Sequence, residues 1–520
     1  MDIIVGRSAP YFSGRLGADW VVIVLLLAAM TPFEAQALPA FARQTGQNCV
    51  ACHAGGQFPE LTPYGRMFKL TGYTIGTRSN PLSVMGVANY AKVSDTSKSD
   101  NPTGPGGDFQ KNGVPVFSSG SLFIAGKITD NIGLFSQITY DNYAVATNDA
   151  NGNPTGNFVG HSGADNIDLR YADRFISADR DIILGVSLNN NPSVVDPWNT
   201  AAAWMQYVPA AGLSSHQFSD ANTPYPSFGS GGNIAGINAY AFWNKTVYAE
   251  LGFYQTANKA FSLLSAGLND SATTHLSGSN NPYWRIAYSR EWGPHNIMVG
   301  TSGMIAHVYD GGSDITDPNN LGRFKNVGVD AQYQYILDPH TVTVQAAYMR
   351  QKQDYSASTI ANGPVDANGN PLTFVDTNGN GLAPVNSSDT SSIFRAKLSY
   401  VYQAKYGGSL AFFNKTGTTN TLNQSSGYET ACAIGVAPTG ICSAASPLGG
   451  TSTRVTGNLS GNPGTRGFTY EAFWMPVQYV RVGAQYTAYN KFNGASDNYD
   501  GFGRNAKDNN TLFLYVWGAY

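Results

Sequence analysis

Cys49-Val50-Ala51-Cys52-His53 is a C-x-x-C-H pentapeptide. Two thiols three positions apart on one helical turn can each take a vinyl group of a porphyrin, and the imidazole of the next residue then lies under the iron. The spacing therefore points to one covalently attached haem c at Cys49 and Cys52, with His53 as the proximal iron ligand. The competing uses of such a pair are a zinc half-site, a redox dithiol and a plain disulfide. Zinc would need two further ligands, yet the other cysteines, Cys432 and Cys442, stand far away and without a second C-x-x-C. A thioredoxin-like dithiol would need a β-α-β context that the flanking sequence lacks.

The motif begins twelve residues after Ala35-Gln36-Ala37, an A-x-A cleavage signature. Arg7 and Arg15 precede an apolar run from Val21 to Met30, so residues 1–37 read as a signal peptide and the mature chain is expected to start at Leu38. That run is about half the roughly 20 residues a membrane helix needs, and no later stretch qualifies. An exported chain of this kind can span a membrane only as a closed barrel. The composition agrees: 58 Gly, 30 Tyr, 26 Phe and 8 Trp stand beside only 12% charged residues, where soluble proteins carry about 25%. A formal net charge of -3 offers no basic surface for nucleic acid. In an oxidising compartment, Cys432 and Cys442 are expected to form a disulfide that pins a loop.

From residue 83 onward, apolar and polar residues alternate between clusters of Gly, Asn, Asp and Ser. Val342, Val344, Ala346 and Tyr348 share one face of a strand while Thr341, Thr343 and Gln345 occupy the other. Val480, Val482, Ala484 and Tyr486 repeat the arrangement, with Arg481, Gln485 and Thr487 opposite. About sixteen such segments follow, an even number as bacterial barrels require. Tight turns at Thr129-Asp130-Asn131, Asn244-Lys245, Trp292-Gly293-Pro294, Asp338-Pro339, Gln403-Ala404 and Pro476 alternate with long polar connections, among them 142–163, 256–281, 356–390 and 417–465. The expected fold is all-β: an outer-membrane antiparallel β-barrel over residues 83–520, with a small haem c segment at 38–82 plugging its lumen.

That segment is too short to bury a core by itself, so the haem and the barrel wall must complete it. Phe41, Phe58, Leu61, Phe68, Leu70 and Tyr73 are the expected apolar shell. Arg43, Arg66 and Lys69 are candidates to pair with haem propionates, or are solvated charges. Thr62-Pro63 reads as a helix start and Gly72 as its stop. For the distal iron position Met85 is favoured, with Met67 or an open site behind it. D-x-N-G-N segments at 149–153, 366–370 and 376–380 are better explained as Asn-Gly turns than as calcium loops.

The run Ala40 to Cys49, the C-x-x-C-H itself, and Leu61-Thr62-Pro63-Tyr64-Gly65-Arg66-Met67-Phe68-Lys69-Leu70-Thr71-Gly72-Tyr73 resemble the N-terminal cytochrome segment of the fused monohaem cytochrome c-porins of iron-oxidising bacteria. In the barrel the resemblance is carried by Asn189-Asn190-Asn191-Pro192 and Asp196-Pro197-Trp198-Asn199-Thr200. It implies an outer-membrane protein whose haem takes electrons from extracellular Fe(II) and passes them to a periplasmic cytochrome or other acceptor. In that family the position of Met67 varies, which adds to the preference for Met85. Oxidising ferrous iron outside the cell keeps insoluble ferric hydroxide outside, and a haem tuned by its ligands and burial suits that task. Two other functions are open: a transport porin with a haem-bearing plug, and a haem enzyme with an open distal site.

Overall fold

A computed structural model describes residues 39–56, 60–95, 113–148, 154–198, 234–265, 275–278, 280–309, 314–362, 386–419, 461–499 and 503–520. Sixteen antiparallel strands close into one barrel. They are β1 (Leu82–Val93), β2 (Val116–Lys127), β3 (Ile132–Asn148), β4 (Pro154–Ile176), β5 (Asp181–Asn189), β6 (Ile234–Trp243), β7 (Val247–Thr256) and β8 (Asn281–Trp292). The second half comprises β9 (His295–Tyr309), β10 (Leu321–Leu337), β11 (His340–Asp354), β12 (Ser388–Tyr402), β13 (Tyr406–Gly417), β14 (Thr465–Val477), β15 (Val480–Lys491) and β16 (Thr511–Ala519). A two-residue strand, His275–Leu276, joins the sheet beside β9. β1 pairs with both β2 and β16, so no edge is left open. Tyr520 takes part in the closure: its N–H donates to Val84 O at 2.8 Å, and Val84 N–H donates back to Tyr520 O at 2.7 Å.

The alternation in the sequence becomes two faces, and their polarity is inverted relative to a soluble sheet. On β11, Thr343, Gln345 and Ala347 are buried, while Val344 and Tyr348 are 39% and 42% exposed. On β15, Arg481, Gln485 and Thr487 are buried and Val482 and Tyr486 exposed. Polar residues inside and apolar residues outside are what a lipid-embedded barrel requires. Trp243, Trp292, Tyr402, Tyr406 and Trp474 are exposed beside the short turns, and Tyr140, Tyr348, Phe394, Tyr470 and Tyr486 nearer the long connections. Between Tyr402 and Phe394, about eight residues of tilted strand climb roughly 20 Å, close to the height of a lipid belt between two aromatic girdles.

Short connections at 128–131, 177–180, 244–246, 293–294, 338–339, 403–405 and 478–479 alternate with long ones, as expected. Two expectations are corrected. The loop expected over 142–163 is mostly strand, because β3 runs to Asn148 and β4 begins at Pro154. These ends project past the lipid belt, where nothing demands an apolar face, so the alternation that marks a strand fades there. Pro476 is no turn. It lies in β14, where pairing with β15 is irregular between Trp474 and Val477, and the turn itself is Gln478-Tyr479. A proline has no N–H to give a ladder, and an irregular strand end accommodates that.

The segment before β1 does not join the wall. It folds as α1 (Pro39–Thr45), α2 (Cys49–Cys52), a 3-10 turn Ala54–Gly56, and α3 (Pro63–Leu70). α3 starts as the sequence indicates: Thr62 Oγ1 accepts the Gly65 N–H at 3.1 Å, and Pro63 occupies the first turn. It stops through Gly72 at φ 72, with Gly72 N–H donating to Lys69 O and Tyr73 N–H to Phe68 O at 3.1 and 3.0 Å. This paired closure satisfies carbonyls that would otherwise be stranded at the helix end. Among the described residues no helix is long and apolar enough to cross a membrane.

Candidate functional site

The C-x-x-C-H residues occupy the single turn of α2 and the residue after it. Cys49 is buried, and its N–H donates to the Gln478 side-chain carbonyl at 3.2 Å, which ties the motif to the β14–β15 turn. The motif therefore sits at the short-turn mouth of the barrel. His53 donates its N–H to Cys49 O at 2.8 Å and bridges to Leu61. The returning chain clamps the turn from above. Ala54 N–H donates to Glu60 O at 2.8 Å, Thr62 N–H to Cys52 O at 2.9 Å, and Thr62 Oγ1 to Ala51 O. α3 then crosses so closely that a Cβ on Gly65 would overlap the Cys52 carbonyl.

The donor set fits a covalent haem. Two sulfurs and one imidazole are gathered within one turn, inside an enclosing wall. Burial pushes the Cys52 thiol up to about 11. Such a site disfavours the free thiolate that dithiol exchange requires, whereas a thioether carries no charge to desolvate.

Charged groups that face the lumen hold this segment in place. Arg66 donates to Leu61 O at 2.8 Å, to Gln334 Oε1 at 3.1 Å and to Asn296 Oδ1 at 3.0 Å. Its hydrogen-bond partners are neutral oxygens, and burial lowers its guanidinium to about 10 against the opposing charge of Glu291 at 3.9 Å. Lys69 donates to Asp196 O at 3.0 Å, and burial, then the nearby Arg170, lowers it to about 8. Tyr73 donates to Asp168 at 2.6 Å, and Asp168 also accepts from Arg170 at 2.6 Å and Ser187 at 2.7 Å. Glu60 and Lys397 form an ion pair at 2.6 Å.

The chain after β5 also folds inward. Asp196 meets Arg285 at 3.0 Å, Arg285 meets Asp330 at 2.7 Å, and Arg170 donates to Val195 O at 2.9 Å. Trp198, 1% exposed, lies with the guanidiniums of Arg66 and Arg285 at 6.0 and 5.7 Å from its ring centre. Removing one member of a buried, hydrogen-bonded ion pair typically costs about 3–5 kcal/mol, so these contacts fix plug and inward loop to the wall as one unit.

The expected site residues separate into two groups. Cys49, Cys52 and His53 stand together. Phe41 and Phe68 pack edge to face at 4.9 Å, and Phe41 stacks on Tyr73 at 5.3 Å and on Phe135 of the wall at 6.3 Å. Arg43 donates to the carbonyls of Asn80 and Leu82, and Lys69 to the carbonyl of Asp196. Met85 faces inward on β1, partly buried against the cluster of Val87, Phe513, Tyr515 and Trp517. Met67 packs on the cluster that contains Leu70 and Trp198. Phe58, Cys432 and Cys442 lie outside the described residues.

Sequence reasoning passed over Gln478, Lys397, Met475, Arg285 and Asp330, and marked Asp196 only as part of the resemblance. Met475 is 4% exposed, and its methyl lies 3.9 Å from where a Cβ on Gly56 would stand. A signal for the charged residues existed: in a chain with only 12% charged residues, several occupy the inward positions of the alternation. Their partners were not visible, because Cys49 and Gln478 are 429 positions apart and Glu60 and Lys397 are 337.

No family model and no curated protein matches the chain. Among solved structures it is similar to OmpF of Salmonella typhi in complex with daunomycin, at 10% identity and TM-score 0.43, covering 84% of this chain and 97% of that one. The anion-selective porin of Comamonas acidovorans is similar at 9% identity and TM-score 0.40, covering 84% and 99%. The outer-membrane channel DcaP of Acinetobacter baumannii is similar at 12% and 0.38, covering 84% and 96%.

Proposed function

We propose that the protein is an electron conduit of the bacterial outer membrane, an iron oxidase in the sense of ferrous iron-to-cytochrome electron transfer. It takes electrons from extracellular Fe(II), or another donor, at a haem c carried by Cys49 and Cys52 and ligated by His53. It delivers them to a periplasmic cytochrome or other acceptor. The observation that carries this reading is the C-x-x-C-H turn clamped inside a closed barrel of membrane polarity and hydrogen-bonded to the Gln478 turn. The resemblance of residues 40–73 to the cytochrome c-porins of iron oxidisers supports the same assignment.

Bound there, haem c supplies a one-electron carrier. The protein's residues do the rest. Cys49 and Cys52 anchor, His53 ligates, and the Gly65 crossing and the Glu60–Lys397 pair hold the turn against the wall. Met85, partly buried on the inward face, is the proposed distal ligand; Met475 lies close to the loop after His53 and packs in the apolar cluster with Val401 and Phe473. Short turns face the periplasm in barrels of this kind, so the acceptor reaches the motif at that mouth. The donor arrives from the opposite side and has to descend the lumen, because about a dozen residues of β14 separate Gln478 from the long connection, a climb of roughly 30 Å.

Adding ferrous iron to the outside of sealed proteoliposomes tests this reading. Reduction of a c-type spectrum is the expected result, and an oxidised spectrum that ignores iron contradicts it. A transport porin with a haem-bearing plug is the second reading, favoured by the closed barrel of membrane polarity, and solute flux through reconstituted barrels would support it. A high-spin haem that accepts added ligands would instead support an enzyme with an open distal site.

A further inference from the structure

Beside the long-connection ends of β5, β6 and β7 lies a cavity of about 460 Å³ that has no part in the haem site. It is lined by Leu188, Ile237, Phe253, Gln255, Phe261 and Asn280, among others. The strand residues in this set point out of the barrel. Ile237 and Phe253 are 53% and 49% exposed, while their neighbours Asn238 and Tyr254 are fully buried on the lumen side. The fourth wall comes from the 3-10 segment Lys259–Leu264, which leaves the top of β7 and folds back over the outer surface, where Leu264 and Phe261 pack with Ile167, Ala235 and Leu188.

The position of this cavity identifies its environment. Ile237 and Phe253 each lie six residues from the β6–β7 turn, a height of roughly 15 Å on a tilted strand, and Gln255 is higher still. The cavity therefore opens at the upper margin of the lipid belt and is continuous below with exposed Leu251 and Ile286. Its overhang has the character of an interfacial segment: Leu263 is 68% exposed, and Lys259, also exposed, stands two residues before Phe261. An apolar slot topped by polar Gln255 and Asn280 and flanked by a cation matches a lipid tail with an anionic phosphate above it.

We propose that this cavity is a lipid-binding site, taking an acyl chain of a phosphate-bearing membrane lipid, with Lys259 beside the headgroup. The segment Lys259–Leu264 is then a clasp that holds one lipid against the barrel and is itself anchored by Phe261 and Leu263.

The test uses full-length protein in bilayers of equal phosphatidylglycerol and phosphatidylcholine, extracted into mild detergent and read by native mass spectrometry. One retained phospholipid per chain, mainly phosphatidylglycerol, is expected. Leu188→Trp, which fills the slot, should cut retention about tenfold, the effect of roughly 1.4 kcal/mol. Ile237→Trp serves the same purpose if the first variant does not fold. Lys259→Glu should abolish the headgroup preference while a chain is still retained. Val299→Trp, on the exposed belt elsewhere, should change nothing. A parent protein that leaves the bilayer without lipid, or a slot-filled variant that retains as much as the parent, overturns the proposal.

Discussion

Gly65 of α3 lies against the main chain of Cys52 so closely that any side chain at position 65 would occupy the space of the Cys52 carbonyl oxygen. The same crossing puts the Thr62 N–H on that carbonyl at 2.9 Å. The geometry of the attachment turn thus depends on a residue thirteen positions later.

Gly65→Ala should therefore force α3 away from α2, at a cost of about 1–3 kcal/mol for the overpacking. The expected outcome is a barrel that still inserts and shows heat-modifiable migration but carries markedly less covalent haem. Quantifying haem per folded chain by the pyridine haemochrome method checks it. Full loading would show that the crossing has no role in attachment.

The distal position separates two methionines. Met85→Ala should abolish the thioether-to-ferric-iron charge-transfer band and lower the haem's midpoint potential, since loss of a thioether ligand disfavours the ferrous state. Met475→Ala should retain the band. The reverse pattern would assign the ligand to Met475.

Lys69 gives a pH signature whose sign follows from its surroundings. Burial and Arg170 lower it to about 8, against 10.5 for the free side chain. Between those values the unfolded chain keeps a proton that the folded chain has released, so stability should rise as pH rises through that window. Below about 8 both states are protonated and the contribution is flat. Urea unfolding followed from pH 7.5 to 10.5 should show the rise in the parent and lose this increment in Lys69→Met.

Much of the barrel was legible in the sequence, and the reason is local. Strand positions such as Val342 to Tyr348 declare themselves through a period of two, and turns such as Asn244-Lys245 through residues that tolerate positive φ, 49° and 55° here. The attachment motif was legible because its chemistry lies within five consecutive residues. What could not be read was either unconstrained by lipid or remote in sequence. The tops of β3 and β4 carry no regular period of two in the sequence, and the pairing of Lys397 with Glu60 or of Asp196 with Arg285 depends on how the closed barrel brings distant strands around the plug.

The seating of the plug predicts a size limit on the electron donor. Free ferrous iron should reduce the haem from the long-connection side, whereas ferrous iron held by a chelator coupled to a large dextran should reduce it far more slowly. Arg66→Ala, which removes three hydrogen bonds to Leu61, Gln334 and Asn296, should loosen the plug and raise ion conductance in planar bilayers. Equal rates for both donors would place the electron entry point at the outer rim.

The most direct measurement is the spectrum of purified, detergent-solubilised protein after acid-acetone extraction, followed by ferrous iron on an unextracted sample. One porphyrin per chain that stays with the polypeptide, and a low-spin c-type spectrum that iron reduces, is the expected result. A polypeptide that loses its porphyrin to the solvent, or never held one, would contradict a covalent haem at Cys49 and Cys52 and the electron conduit built on it.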